Sequence, residues 1–426
     1  ILIGLFMLFS SVALSNKIHE IDRQAINQFK VYIDRSHQYD AVSVQKTNSD
    51  AWQSMDQESL NLGYTQAAVW VAFSLHNSSS VPVSRLLDIT YPLLDHVEVY
   101  DISDLSHIRS LLQSGDKQPF NQRNFTHPNF INAIHLKPGE HQKLLIRLQS
   151  NSPVQTEILL WTNNAFQKHY RQQASILFFY LGLILSSAAF NFLVFLYLKE
   201  KVYLAYSLYA ASFAFFMASQ QAILFEYVFP LLPKLHMWSQ LLLSNTSIMF
   251  AAMFTLLFLR IKTLSKSGWV LTILTSIPLV LMLAGSQIGF QLAIKMTVLG
   301  ALVIIPAIFI VGIVNARKNN DGFLFITAWL CLFSGVCVFL VSKIGLIGFS
   351  PIIEHSILIG SALELLIFAA ALARRIHTEK VTRIQAQQII IEGSKQTAKL
   401  HEDIIYSTTH HPITGLPNRN YFERWL

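Results

Sequence analysis

The stretch ASILFFYLGLILSSAAFNFLVFLYLKEK, residues 174–201, decides the fold class of this chain. Residues 174–198 carry no charged side chain, and Lys199, Glu200 and Lys201 follow directly. As a helix rising about 1.5 Å per residue, such a run is long enough to cross a hydrocarbon core of about 30 Å. The stretch therefore predicts a membrane-spanning helix that ends in a charged connection.

The rest of the composition extends this prediction to a whole domain. Hydrophobic residues make up 52% of the chain and charged residues only 13%, a balance typical of a membrane protein. Six further apolar segments follow the first one, and they lie at 202–224, 237–259, 268–285, 290–314, 322–342 and 352–373. We therefore expect a seven-helix transmembrane domain over residues 174–373, with the lipid bilayer as its first partner.

Basic residues cluster in alternate connections between these segments. The basic connections contain Lys199, Lys201, Arg260, Lys262, Lys266, Arg317, Lys318, Arg374 and Arg375. Of the three connections between them, the first contains only Lys234, the second contains no basic residue, and the third contains only Lys343. Because basic connections stay in the cytoplasm, the N-terminal region is predicted outside and the C-terminus inside. The net charge of +7 is explained by this topology, so it does not indicate a nucleic-acid partner.

The N-terminal part of the sequence predicts an exported β-domain. Residues 1–15 are mostly apolar but short, which favours the hydrophobic region of a signal peptide, with a further membrane anchor as the alternative. From 17 to 172, short β-branched and aromatic runs alternate with turn residues, which predicts a periplasmic β-sandwich or jelly roll. The predicted strands are 68–75, 86–90, 96–100, 130–135, 143–148 and 157–161. Residues 18–29 are consistent with a short helix or with an edge element.

A polar helical stretch, residues 374–406, follows the last apolar segment. Ile384, Ile391, Ala398 and Ile405 recur every seven residues, which is half of a coiled-coil seam. The other half of the seam is mostly polar, so a plain solvated helix remains the alternative. We expect a weak parallel coiled coil that transmits a signal to residues 407–426.

Three aromatic residues of the β-domain are candidate ligand contacts: Trp70, Tyr91 and Tyr100. Aromatic rings in a β-sandwich serve either as core or as stacking surfaces for a ligand, and the sequence does not separate these roles. The cysteines and histidines have no metal-ligand spacing, and no catalytic arrangement is recognisable. We therefore expect no catalytic, metal or cofactor site within these residues.

Three ionisable residues of the apolar segments are candidate switch residues: Glu364, Lys295 and Glu354. A charge within a membrane is costly, so each such group needs a partner or a function. Glu364 lies near mid-membrane and is predicted to be a hydrogen-bonded switch element or a helix contact. Lys295 is predicted to reach the interface or to pair with Glu354.

Several short sequence motifs resemble those of a known receptor family. Residues 91–100, YPLLDHVEVY, are similar to its Y-P-x-L-D-x-V-x-x-Y signature, and Lys137–Glu140 and Arg147–Ser150 to its later P-G-E and R-x-x-S elements. The chain thus resembles bacterial seven-transmembrane receptors with diverse intracellular signalling modules. The resemblance implies a jelly-roll domain for a carbohydrate-like or other small ligand, a homodimer, and location in the inner membrane.

The last residues resemble the opening of a cyclase domain. Residues 411–422, HPITGLPNRNYF, are similar to the D-x-L-T-G-L-x-N-R-R-x-F opening of GGDEF domains, and His411 and Asn420 replace its Asp and its second Arg. This implies a diguanylate cyclase, or a tandem cyclase and phosphodiesterase, that uses GTP and Mg²⁺ at positions beyond residue 426. The alternatives are a receptor coupled to a histidine kinase or other partner, and a transporter.

Overall fold

The computed structural model describes residues 22–423 except 105, 317–321, 345 and 349. The predicted signal peptide at 1–15 and the basic pair Arg317 and Lys318 lie outside the described residues. The fold divides after Ile367 into a large unit and a smaller one that starts at Phe368.

The N-terminal part of the large unit is a β-sandwich, as predicted. Its strands β1–β11 are Arg23–Ala25, Gln28–Asp34, Gln53–Asp56, Ser59–Asn61, Ala68–His76, Val83–Ile89, His96–Asp101, Arg109–Ser114, Phe130–Leu136, His141–Gln149 and Gln155–Trp161. One sheet has the order β1-β11-β6-β9 with β4 also on β11, and the other has the order β3-β2-β5-β10-β7-β8. Every pairing is antiparallel.

The main core fills the space between the sheets, because alternate residues of each strand point to the same face. Val69, Val71, Val99 and Ile146 are among its fully buried members. Residues 23–34 form two strands, so the helical alternative for this region is wrong where the structure describes it.

Strand β11 is buried on both faces along its whole length, and β5 is buried on both faces over residues 68–71. All seven residues of β11 are buried, because the far side of its sheet is covered by the start of the first helix through Trp161, Ala165 and Phe166. In β5, Trp70 is covered on the far side of the other sheet by residues of the 39–52 segment. The sandwich is therefore flanked by material that the alternation pattern alone does not reveal.

Among the described residues, seven helices are long and apolar enough to cross a membrane. Helices α1–α10 are Asn163–Leu198, Lys201–Gln220, Ile223–Tyr227, Pro233–Phe258, Lys266–Ile288, Phe290–Ala316, Gly322–Lys343, Pro351–Glu354, Ser356–Thr409 and Arg419–Glu423. The membrane helices, in chain order, are α1, α2, α4, α5, α6, α7 and α9.

Two helix boundaries differ from the prediction. Helix α1 begins at Asn163, directly after β11, where Thr162 caps it by accepting a hydrogen bond from the Ala165 amide. Its polar first turns were missed because only apolar residues mark a span. The predicted segment 202–224 ends as a helix at Gln220 and continues as the short α3. The last helix, α9, contains both the seventh apolar segment and the polar linker.

Candidate functional site

Two of the three candidate aromatic residues lie together on the outer face of the six-stranded sheet. Trp70 on β5 and Tyr100 on β7 stack with their ring centroids 6.5 Å apart. The Tyr100 hydroxyl donates to Glu98 at 2.8 Å, and Arg147 donates to the same carboxylate at 3.3 Å. Trp70 is fully buried, so its indole is a core group beneath the 39–52 segment, while Tyr100 is half-buried beside it.

Tyr91 lies apart from this pair, in the main core near the membrane helices. Its φ angle is +110°, a backbone region that non-glycine residues rarely adopt. Such strain persists only where the surroundings impose it, and it is concentrated at functional positions. The structure therefore separates Tyr91 from the Trp70–Tyr100 pair and places it toward the bundle.

The β-domain is hydrogen-bonded to two connections of the helical bundle. The Asn61 side-chain amide donates to the carbonyl oxygens of Ser342 and Ile347, at 3.0 and 2.9 Å. The Gln66 amide donates to the Gln291 side chain at 2.8 Å. These contacts reach the end of α7, the connection after it, and the start of α6.

A third connection, between α2 and α4, packs against the loop around Phe120. The Phe120 amide donates to the Pro230 carbonyl at 2.8 Å. The Phe120 ring meets Phe225 edge-on at 5.4 Å, and Ala222 and Phe229 complete this apolar cluster. Together with the direct β11–α1 connection, the sandwich is therefore joined to the start of α1 and to three connections of the bundle.

Arg123 anchors this third contact. Its guanidinium lies 4.6 Å from the ring centroids of Phe120 and Phe130 and 5.8 Å from that of Phe225 on α3. It also donates to the carbonyl oxygen of Pro128. A planar guanidinium stacks on rings while it donates in its plane, so Arg123 holds the β-domain and the loop together.

Burial lowers the pKa of Arg123 to about 10, while the carboxylates of Asp116 and Glu226 favour its charged form. The side chain is therefore still a cation at neutral pH. Glu226 belongs to α3, so part of the charge balance of Arg123 comes from the bundle side of the contact.

A buried polar cluster connects the five-stranded sheet with α1. The Asn129 side-chain amide donates to the Asp88 carboxyl group at 3.0 Å, and the Asn129 backbone amide donates to His127 Nδ1 at 2.9 Å. The His127 ring lies against Phe166 and Tyr170 of α1, with centroids 5.0 and 4.4 Å away. This cluster therefore brings residues next to the five-stranded sheet into contact with the first membrane helix.

Burial shifts both titratable groups of this cluster toward their neutral forms. It raises the pKa of Asp88 to about 7. It lowers the pKa of His127 to about 3, with the positive charge of Arg123 acting in the same direction.

Glu364 on α9 is the most buried of the candidate switch residues that the structure describes. Glu364 is only 4% exposed, and the Tyr209 hydroxyl on α2 donates to its two carboxylate oxygens, at 2.9 and 3.0 Å. Three residues earlier on α9, Ser361 hydrogen-bonds the Tyr180 hydroxyl of α1 at 2.5 Å. Glu364 and Ser361 therefore connect α9 to two other membrane helices.

The other two candidates have separate positions. The Lys295 ammonium lies 5.8 Å from the ring centroid of Tyr64, a residue of the β-domain. The Glu354 side chain lies outside the described residues, so the predicted Lys295–Glu354 pair stays a prediction. No group of three histidine, cysteine, aspartate or glutamate side chains suited to a metal ion occurs among the residues that the structure describes.

Several residues of these contacts were not identified from the sequence. Tyr209 and Tyr180 are hydroxyl-bearing residues within apolar segments, and that is the only signal that marks them. Arg123 stands alone in a polar loop, and its ring contacts come from residues distant in sequence. Asn61 and Gln66 carry no distinguishing pattern.

Two family models match this arrangement. Residues 26–162 match the model described as 7TMR-DISM extracellular 2, and residues 173–375 match the model described as 7TM diverse intracellular signalling. The chain is a seven-transmembrane signalling receptor with an extracellular sensor domain. The contacts of Asn61, Gln66 and Arg123 are therefore contacts between the sensor domain and the membrane domain of this receptor. A search of curated proteins found no match.

Proposed function

We propose that this receptor lies in a bacterial inner membrane and that its periplasmic β-domain controls a cytoplasmic GGDEF-type cyclic di-GMP module. A small or carbohydrate-like periplasmic ligand changes the packing of the β-domain on the bundle. The bundle passes that change to α9, and a homodimer of linker helices passes it to the output module.

The hydrogen bond from Tyr209 to Glu364 carries this proposal. It joins α2 to α9, the helix that extends from Ser356 to Thr409 and thus contains the linker. A carboxyl group without a partner in an apolar bundle is costly, so the bond strongly favours one packing of α2 against α9. Any input that alters α2 therefore has a direct route to the linker helix.

The contacts of the β-domain support the input half of this route. The connections it contacts are the ones poor in Lys and Arg, while the described basic connections at 199–201 and 260–266 lie at the other ends of the helices. This distribution supports a periplasmic β-domain and a cytoplasmic C-terminus. The α2–α4 connection held by Arg123 adjoins the helix that carries Tyr209.

The tail supports the output half. Residues 412–414 form a turn that is followed by Gly415 at φ +66°, and the Asn418 side-chain amide donates to the Thr408 carbonyl oxygen at 3.0 Å. These are residues of the GGDEF-like opening, and here they cap the end of α9. The side-chain amide of Asn420, a residue that departs from the family pattern, donates to the same Thr408 carbonyl oxygen at 3.4 Å.

A topology experiment and an output experiment test the two halves separately. A periplasmic reporter fused after Trp161 and a cytoplasmic reporter fused after Arg375 are both expected to be active. In cells that express the natural full-length protein, the double substitution Asn61→Ala and Gln66→Ala is expected to change the cyclic di-GMP level. An unchanged level with altered histidine phosphorylation would instead favour the kinase alternative.

A further inference from the structure

A cavity of about 150 Å³ lies where the β-domain meets the helical bundle. Its wall on the β-domain side includes Tyr64, Tyr91 and Ser152, and its wall in the bundle comes from α2, α4, α6, α7 and α9. A cavity of about this size accommodates a molecule such as benzene. The space is thus suited to a small molecule shared between the sensor domain and the membrane domain.

The cavity wall is mostly apolar, and its glutamine side chains lie toward the β-domain. Gln220, Gln240 and Ser244 line it from the ends of α2 and α4 that face the β-domain. Deeper in the bundle the wall is mostly apolar, with Trp329 and Ile308 among its members, and it also includes the hydroxyl-bearing residues Ser247, Thr297 and Tyr209. A molecule that fits this wall has an apolar body and one polar end directed toward the β-domain.

The charge of the wall restricts the ligand further. Among the described lining residues there is no Lys, Arg, His, Asp or Glu. An ion without an opposite charge would lose its hydration with no compensating partner, which costs far more than burying an apolar ring. Aromatic lining residues such as Phe213 and Phe339 favour a ring through stacking or edge contacts.

Two lining residues connect the cavity to features already described. Tyr91, whose backbone is held at φ +110°, forms part of the wall on the β-domain side. Tyr209, which donates to Glu364, forms part of the wall in the bundle. The cavity wall therefore contains both a residue of the sensor domain and the residue that holds α9.

We propose that this cavity binds a small neutral aromatic molecule with one hydrogen-bonding oxygen, of the size of phenol or benzyl alcohol. The ring lies among the apolar residues near Phe216, one helical turn from Gln220, and the oxygen lies near Gln220 and Gln240. The signalling consequence, a bias on the Tyr209–Glu364 bond, rests on the proposed function, whereas the binding itself does not.

The test is ligand-observed fluorine NMR on the purified chain in nanodiscs, with 4-fluorobenzyl alcohol as the probe. Saturable binding, displaced by unlabelled benzyl alcohol, is expected above the linear partition into lipid. The charged comparator 4-fluorobenzoate is expected to bind at least ten times more weakly. Equal or tighter binding of the benzoate, or partition without saturation, would overturn the proposal.

Matched variants locate the binding. Ala301→Leu places a larger side chain in the wall and is expected to weaken binding at least tenfold, whereas Ala189→Leu, an exposed position outside the wall, is expected to leave it unchanged. Gln220→Leu is expected to weaken binding about fivefold, the equivalent of one hydrogen bond. Equal affinity in Ala301→Leu and Ala189→Leu, with both variants folded by thermal unfolding, would contradict this location. Because these binding experiments do not measure cyclic di-GMP, a failure to observe binding would not contradict the proposed function.

Discussion

The Tyr209 hydroxyl on α2 donates to both carboxylate oxygens of Glu364 on α9, at 2.9 and 3.0 Å, inside a bundle of apolar helices. Both residues are buried, so water does not compensate either group if the bond breaks. The bond thus distinguishes between packed arrangements of these two helices, which is the property that a switch requires.

Removal of either partner is expected to destabilise the bundle. Tyr209→Phe leaves the Glu364 carboxyl group without this donor, and Glu364→Leu leaves the Tyr209 hydroxyl without its acceptor. Each change should cost about 1–3 kcal/mol, and Glu364→Gln should cost less because an amide oxygen still accepts. The measurement is thermal or denaturant unfolding of the purified receptor.

A double-mutant cycle separates the bond from other effects. The double substitution Tyr209→Phe and Glu364→Leu should cost clearly less than the sum of the two single changes. Tyr197→Phe is the matched control, because Tyr197 is 87% exposed. Additive losses would mean that the two residues stabilise the bundle independently.

Glycines at the crossing of α7 and α9 are expected to be irreplaceable. A Cβ atom on Gly360 would lie 2.5 Å from the Cys331 carbonyl oxygen, and one on Gly335 would meet the Ser356 carbonyl oxygen. Small residues permit such close helix contact in membranes. Gly360→Ala should therefore destabilise the receptor by about 1–3 kcal/mol through overpacking, as measured by unfolding in detergent.

The control for this prediction is Gly182→Ala on α1, where nothing lies within 4 Å of the added methyl group. That change should be neutral or should stabilise by up to about 1 kcal/mol, the difference in helix propensity. If Gly360→Ala behaves like Gly182→Ala, the close approach of α7 and α9 is not present.

Arg123 is expected to hold the α2–α4 connection through its planar guanidinium. Arg123→Lys keeps the charge but loses the ring stacking and the in-plane donors. Hydrogen exchange in residues 223–232 should therefore become at least tenfold faster, while Arg35→Lys, an exposed arginine of the same domain, should have no effect. Unchanged exchange in Arg123→Lys would show that charge alone maintains the contact.

The pH dependence of stability is expected to change in Asp88→Asn. The pKa of Asp88 in the folded chain is about 7, above the ordinary value near 4, so folding binds a proton between these values. The stability that Asp88 contributes is thus full below about pH 4 and is lost as pH rises through about 7. His127 acts in the opposite direction, because its pKa is lowered to about 3, so the parent curve alone is not diagnostic.

The comparison is therefore between variant and parent. The side-chain amide that Asp88→Asn introduces still accepts from Asn129 but does not ionise. The variant should therefore gain stability relative to the parent as the pH rises from about 4 to about 7. Thermal unfolding of the full chain at several pH values measures this difference. A constant difference across the range would mean that the Asp88 pKa is ordinary.

The sequence predicted the architecture because its signals are local. Uncharged runs such as 174–198 specify membrane helices, and alternating runs such as 68–75 specify strands whatever their partners. The pairings that make the site are not local: Glu364 was a candidate, but nothing in the sequence identifies Tyr209 as its donor. Trp70 and Tyr91 likewise look equivalent in sequence, and only the fold places one beneath a covering segment and the other beside a cavity.

The central claim is that the Tyr209–Glu364 contact passes the state of the sensor domain to a cyclic di-GMP module. Its most direct test is the cyclic di-GMP concentration in cells that express the natural full-length receptor, its Tyr209→Phe variant, or the Tyr197→Phe control at equal membrane levels. Tyr209→Phe is expected to change the concentration at least threefold and Tyr197→Phe to leave it unchanged. Equal concentrations for all three proteins, with the receptor folded and in the membrane, would contradict the account.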